Sequence, residues 1–100
     1  MRQYQQQAIA SSSPAQLVLK MYDLGLQCCR QNDRSRLRLV LAELIGCLNF
    51  EQGGEIAERL LALYDFCINE SVSGDLDVVE KVLSDLREAW KTSVVARQAA

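Results

Sequence analysis

Apolar residues recur at intervals of four, three and four positions in four separate blocks of the chain. The four sets are Leu17, Met21, Leu24 and Cys28; Leu37, Leu41, Leu44 and Leu48; Ile56, Leu60, Leu63 and Cys67; and Val79, Leu83, Leu86 and Trp90. This spacing places each set along one side of an α-helix, and no alternating strand pattern competes with it. The predicted helices cover about residues 14–30, 35–48, 54–70 and 75–92.

Residues that favour turns and helix caps stand between these blocks. Ser13–Gln16 has the pattern of a capping box, with proline at the first helical position. Gln31–Asp33 separates the first two helices, Gly53–Gly54 indicates a turn or a tightly packed helix start, and Asp75 can cap the fourth helix. Short joints between amphipathic helices predict antiparallel neighbours. The predicted fold class is therefore all-α, an antiparallel up-down-up-down four-helix bundle over residues 13–92 with an N-terminal strap.

Both ends of the chain lack the apolar periodicity of the middle. Residues 1–12 are rich in glutamine, alanine and serine and predict a strap or cap, and residues 93–100 predict a tail or helix extension. The N-terminus has no apolar stretch of the kind that a signal peptide needs, and no apolar run is long enough to span a bilayer. We therefore expect a cytoplasmic protein without membrane insertion.

Charge and composition narrow the range of functions. Lys and Arg number 11 against 13 Asp and Glu, which gives a net charge of -2, and the chain has no histidine. It lacks both the basic excess typical of nucleic-acid-binding domains and the residue most used as a general base or metal ligand. We predict no enzyme activity, no catalytic residue, no metal and no cofactor.

Two local groups of residues could carry chemistry, and each also has a structural interpretation. The four cysteines show no C-x-x-C spacing and lie on or beside the apolar stripes, which predicts free thiols in the core. A basic cluster could contact phosphate, but the acidic remainder of the chain favours a solvated end of the bundle. The residues of this basic cluster are Arg30, Arg34, Arg36 and Arg38. An RNA-binding tip remains the less favoured alternative, and the sequence predicts no nucleic-acid partner.

Three stretches of the sequence resemble a known family. Tyr4–Leu17, followed by Met21-Tyr22-Asp23, is similar to the N-terminal signature of the flagellar secretion chaperones of the FliS family. Leu48–Ala57, with Tyr64-Asp65 further along the same helix, looks like the most recognisable stretch of that family. Leu86–Trp90 resembles the usual ending of its C-terminal helix, so the resemblance covers about residues 4–92.

This resemblance implies a cytoplasmic export chaperone for flagellin. Family members are antiparallel helical bundles that bind the disordered C-terminal segment of flagellin, which folds as it wraps over the bundle. Covering that segment prevents premature polymerisation, because it is needed to pack subunits into the filament. The resemblance further implies delivery of flagellin to the flagellar export gate, with no chemistry performed by the chaperone itself.

Four residues that match family positions are candidates for partner binding. They are Tyr4, Ile9, Tyr22 and Tyr64. The resemblance places Tyr4 and Ile9 in the segment that folds beside the client-binding surface, although the two side chains could equally just cap the bundle. Tyr22 and Tyr64 each precede an aspartate on a helix, and the favoured interpretation is that they fix the geometry between helices.

The sequence departs from its apparent relatives in length. It is shorter than most of them, and the missing residues fall around residues 28–36 and 70–74. In an up-down bundle these two joints lie at the same end, so we expect a bundle trimmed there by about one helical turn.

Some leucines lie off the main stripes and leave a second function open. They are Leu19, Leu26, Leu39 and Leu61. Outside the core these side chains would form either a client groove or a homo-oligomer face. The alternative function is therefore a self-associating helical assembly or regulatory module with no flagellin client.

Overall fold

The protein is an all-helical bundle in a computed structural model that describes residues 13–95. The helices are α1 (Pro14–Arg30), α2 (Arg34–Gly46), α3 (Phe50–Ser73) and α4 (Leu76–Trp90), and a short π-helical segment, Lys91–Val95, follows α4. No strand occurs within residues 13–95. The predicted four-helix bundle is confirmed, whereas the predicted strap, residues 1–12, lies outside the described residues.

Contacts between the helix ends make the bundle antiparallel. At one end, the indole Nε1 of Trp90 donates a hydrogen bond of 2.8 Å to the carbonyl of Ala15, which joins the end of α4 to the start of α1. At the other end, the guanidinium of Arg34 donates to the carbonyls of Ser71 and Gly74, at 3.2 and 3.0 Å. Each helix packs against its two sequence neighbours, with α4 closing the ring on α1.

A side-chain cap lies at the start of each of the four α-helices within residues 13–95. The Ser13 hydroxyl accepts from the amide of Gln16 at 3.1 Å, and the Gln16 side chain accepts from the Ser13 amide at 3.2 Å, so the predicted capping box is present. The side chains of Asp33, Asn49 and Asp75 accept from the amides of Arg36, Gln52 and Asp77 and so cap the other three helices, without the reciprocal bond of a capping box. These bonds satisfy amides that have no partner within their own helix.

The start of α3 differs from the predicted boundary at residue 54. Asn49 caps an additional helical turn, Phe50–Gly53, and the chain then bends at Gly54, where φ is 49° and ψ is -120°. Residues that carry a side chain rarely adopt these backbone angles, so the bend depends on glycine. The sequence left open whether the glycine pair forms a turn or a closely packed helix start. The structure has both, since Gly53 ends a helical turn and Gly54 forms the bend that follows it.

The core lies on slightly different sides of α1 and α3 than the apolar spacing predicts. The buried apolar residues are Ala15, Tyr22, Leu26 and Cys28; Leu37, Val40, Leu41 and Leu44; Ala57, Tyr64 and Cys67; and Val79 and Leu83. Leu24 and Ile56, both on the predicted stripes, are 40% and 68% exposed. The two tyrosines supply the reason, because their hydroxyls find partners inside the bundle and their large rings fill its centre. Leu26, expected off the stripe, is consequently buried.

Candidate partner-binding groove

An open apolar cavity of about 240 Å³ separates the first half of α3 from the end of α4. Ile56 and Leu60 of α3 form one wall, and Trp90 of α4 belongs to the opposite wall. The remaining apolar lining includes Val18, Leu44, Leu48, Ala57 and Tyr64. We call this cavity with its walls the α3–α4 groove.

The local sequence of α3 shapes one edge of the groove. A Cβ built on Gly53 would lie 3.0 Å from the Cβ of Ala57, a tight contact that glycine avoids where the Phe50–Gly53 turn sits close to the rest of the helix. Asn49 and Gly53 therefore bring backbone to the groove edge. Phe50, on the same turn, is 47% exposed.

None of the residues that line the α3–α4 groove carries a charge. Asn49 supplies an amide at one edge, and the other side chains are apolar, aromatic or a thiol. Ile56 is 68% exposed and Leu63, one turn beyond Leu60, is 37% exposed, so apolar surface continues outside the cavity. Such a surface is suited to bind apolar side chains of a partner rather than an ion or a polar metabolite.

Tyr22 and Tyr64 meet beneath this groove. Their hydroxyl oxygens are 2.6 Å apart, and the residues are 1% and 2% exposed. Burial raises the pKa of both phenols above the ordinary value of 10.0, so both stay neutral at physiological pH. The structure places Tyr64 at the floor of the groove and Tyr22 in the core behind it. Partner binding by either residue stays a prediction.

The other two candidates, Tyr4 and Ile9, lie outside the described residues. The described chain begins at Ser13, two residues before Ala15, whose carbonyl accepts the hydrogen bond from Trp90. The N-terminal segment is therefore joined to the bundle at the end that carries the groove.

All four cysteines lie in the described part of the chain and none is in a disulfide. Cys28 and Cys67 are buried, Cys29 is half-buried and Cys47 is exposed, and all four are free thiols. Burial raises the pKa of Cys29 and of Cys67 to about 11, which keeps these thiols protonated. No group of His, Cys, Asp or Glu within residues 13–95 could hold a metal ion.

The basic cluster is largely used to hold the bundle together. Arg34 and Arg38 both donate to the carbonyl of Ser71 near the end of α3. Arg30 forms an ion pair with Glu80 at 3.4 Å. Arginines that satisfy the last carbonyls of a helix act as its cap, so this end of the molecule has a structural role that sequence spacing alone did not reveal.

Sequence reasoning also missed that Ile56 and Trp90 line the groove and that Leu63 is exposed beyond it, since it assigned all three to core stripes. One signal was present: the regular apolar set of α3 is wider than one buried stripe once Ala57 and Tyr64 are added. A helix with more apolar residues than its core side needs leaves some at the surface.

Comparisons with known proteins give one consistent result. A family model described as Flagellar protein FliS matches residues 30–98. The flagellar secretion chaperone FliS of Vibrio cholerae serotype O1 is 33% identical over 58 residues, an alignment that covers 51% of this chain and 43% of that protein. The chain thus spans less than half the length of that curated relative. No solved structure matches. No described helix is long and apolar enough to cross a membrane.

Proposed function

Because this chain belongs to the FliS family, we propose that it is a cytoplasmic flagellar secretion chaperone that binds the disordered C-terminal segment of flagellin. By covering that segment it keeps flagellin from polymerising early, and it then delivers its client to the flagellar export apparatus. The single observation that supports this function best is the open, uncharged α3–α4 groove, which lies within the matched range for most of its lining.

The groove has the properties that a folding client requires. A disordered segment that folds on binding loses a few kcal/mol to ordering, so its binding surface has to bury apolar side chains to compensate. An amphipathic helix provides such side chains at helical spacing along one face. A cavity of about 240 Å³ is smaller than the roughly 300–1,000 Å³ of small-molecule sites, so it suits the anchoring side chains of a longer segment.

Ile56 provides the sharpest test, because it lines the groove and is 68% exposed. We predict that Ile56→Asn weakens binding of a peptide with the flagellin C-terminal sequence by about tenfold or more, since an aliphatic anchor contributes roughly 1.5–3 kcal/mol when buried. Val72→Asn is the matched control, on the same helix, 62% exposed and absent from the groove lining. Isothermal titration calorimetry measures both affinities.

Two results would count against this assignment. Equal affinities of the Ile56 and Val72 variants would remove the α3–α4 groove from the client-binding surface. No binding by the native chain at any peptide concentration would remove the flagellin client itself. A polymerisation assay with purified flagellin adds the functional readout, in which the native chain delays filament growth and Ile56→Asn does not.

The N-terminal segment is part of the proposal through Tyr4 and Ile9. Since this segment joins the bundle at the groove end, we predict that Tyr4→Lys changes the affinity for the flagellin peptide while the free energy of unfolding stays within about 0.5 kcal/mol, as for a surface substitution. Unchanged affinity would leave Tyr4 without a role in client binding.

A further inference from the structure

The polar side chains that line the α3–α4 groove are mostly engaged inside the protein. The hydroxyl of Tyr64 is bonded within the core, and the indole N–H of Trp90 donates to a backbone carbonyl of α1. Asn49 and the exposed thiol of Cys47 complete the polar lining, and a thiol is only a weak donor. Asn49 is therefore the side chain through which the groove can hold a polar group of its client.

The cap at the start of α3 fixes which way the Asn49 amide points. Its oxygen Oδ1 accepts from the backbone amide of Gln52 at 3.1 Å. Because a backbone amide can only donate, the oxygen has to face it, and the nitrogen Nδ2 is turned away from it. Within residues 13–95, Nδ2 has no hydrogen-bond partner. Asn49 is exposed at the groove edge, so both N–H groups of Nδ2 can donate to a bound molecule.

A helical client has the complementary need at only one of its ends. The last four carbonyls of a helix have no partner within the helix, whereas the unpaired groups of its first turn are N–H donors. The N–H groups of Asn49 can satisfy such carbonyls, but they offer nothing to a helix start. The groove extends from Asn49 towards Leu60 and Tyr64, further along α3. A bound helix whose last carbonyls lie beside Asn49 therefore runs antiparallel to α3.

We propose that Asn49 is a specificity-determining residue of the α3–α4 groove, whose Nδ2 donates to a carbonyl at the C-terminal end of the bound client helix and so fixes the direction of that helix. This inference rests on the proposed function, in which the client is the C-terminal segment of flagellin. Apolar anchors such as Ile56 add affinity but do not distinguish the two directions of an amphipathic helix. A hydrogen bond at one end does, because the wrong direction leaves donors of both partners unpaired.

Asn49→Asp removes the two donors and keeps the cap. Aspartate is as good an N-cap as asparagine, and an acid at the start of a helix agrees with the helix dipole, so the urea midpoint should not fall. We expect the affinity for a peptide with the flagellin C-terminal sequence to drop by about tenfold or more, because one hydrogen bond is lost and a carboxylate faces the client's carbonyl instead. Isothermal titration calorimetry measures the affinity.

Gln52→Glu is the matched control for this substitution. It makes the same change from amide to carboxylate on the same helical turn, at an exposed position outside the groove lining. It should therefore weaken binding much less than Asn49→Asp. The comparison separates the loss of the Nδ2 donors from the effect of one more negative charge near the groove.

The direction of the bound helix is measured on the native chain, so this test does not depend on any variant. A nitroxide amino acid is placed at one or the other end of the shortest flagellin peptide that binds. The label at the C-terminal end should broaden the amide NMR signals of residues 48–53, and the label at the N-terminal end should broaden those around Leu63. In Asn49→Asp at saturating peptide, each label should broaden both groups.

Two outcomes would overturn the inference and leave the proposed function standing. One is binding by the native chain with equal affinities of the Asn49 and Gln52 variants. The other is broadening of residues 48–53 by the label at the N-terminal end of the peptide. A native chain that does not bind the peptide would overturn the proposed function and this inference with it.

Discussion

At the scale of single residues, the core of the bundle contains one hydrogen bond between two buried tyrosine hydroxyls. The hydroxyls of Tyr22 and Tyr64 are bonded to each other inside the core, and each is the partner that the other needs. Within the described chain, no buried side-chain polar atom is left without a hydrogen bond. A buried polar group that loses its partner costs more than the bond itself contributed.

Removal of both hydroxyls should therefore cost less than the two single removals added together. We predict that Tyr64→Phe lowers the free energy of unfolding by about 1–3 kcal/mol, and that Tyr22→Phe has a similar effect, because either change strands the remaining hydroxyl. In the double variant the loss should be clearly smaller than the sum of the two. Urea denaturation of the four proteins gives the comparison, and additive losses would show that the hydroxyls do not depend on each other.

The sequence predicted the four helices better than it predicted which residues of each helix face the core. Spacing correctly selected Leu37, Leu41 and Leu44, where one apolar stripe has no large competitor beside it. It was wrong for Leu24 and Ile56, because Tyr22 and Tyr64, which lie outside the regular apolar sets, fill the centre of the bundle instead. Periodicity does not reveal that two tyrosines forty-two residues apart will bond to each other and turn their helices accordingly.

Helix boundaries followed from caps wherever a cap residue was unambiguous. Ser13 and Asp75 were identified from the sequence, because their side chains act locally and need no tertiary partner. The extra turn at the start of α3 was not, because a glycine pair permits a turn and a helix start alike. What decides between them is the cap from Asn49 together with the bend at Gly54.

The bend at Gly54 leads to a prediction about the stability of the protein when this residue of α3 is replaced. Gly54→Ala should lower the free energy of unfolding by about 1–3 kcal/mol, since its φ of 49° is strained for a side-chain-bearing residue. No atom lies within 4 Å of the position that the new Cβ would take, so the loss comes from the backbone alone. Thermal or urea unfolding measures it.

Gly46→Ala is the matched control for this substitution. Its Cβ would also meet nothing within 4 Å, and its φ is not in the left-handed region. It should be neutral or stabilising by up to about 1 kcal/mol, as expected for alanine in place of a helical glycine. Equal losses in the two variants would mean that the bend at Gly54 is not what makes glycine necessary.

For the molecule as a whole, the two ends of the bundle have separate roles. The α1–α2 and α3–α4 joints share one end, as expected from the up-down topology, and Arg34 ties them together there. The α3–α4 groove lies at the opposite end, beside the α2–α3 joint and Trp90. The end that the family resemblance predicts to be shortened is therefore not the end that carries the groove.

Stability of the whole bundle should fall at alkaline pH. Burial raises the pKa of Cys29 and Cys67 from 9.0 to about 11, and it raises the pKa of Tyr22 above 10.0. The unfolded chain then loses protons at a pH where the folded protein retains them, so stability is complete below about pH 9 and decreases as the pH rises further. Urea midpoints measured from pH 7 to 11 test this.

A cysteine variant separates the loss of stability caused by buried thiols from other effects of alkaline pH on the protein. Cys29→Ala removes one of the raised thiol pKa values, so its urea midpoint should fall less steeply above pH 9 than that of the native chain. Cys47→Ala is the control, because that thiol is exposed. Identical pH profiles for all three proteins would mean that burial of the Cys29 thiol does not contribute to the alkaline loss.

The position of Trp90 has a spectroscopic consequence. It is the only tryptophan of the chain, it lines the α3–α4 groove, and its indole is held by the carbonyl of Ala15. Intrinsic tryptophan fluorescence of the unlabelled protein therefore originates beside the groove. A segment that fills the groove should exclude water from the indole, shift its emission to shorter wavelength and protect it from acrylamide quenching. The protein thus contains its own optical probe for the site where we place its client.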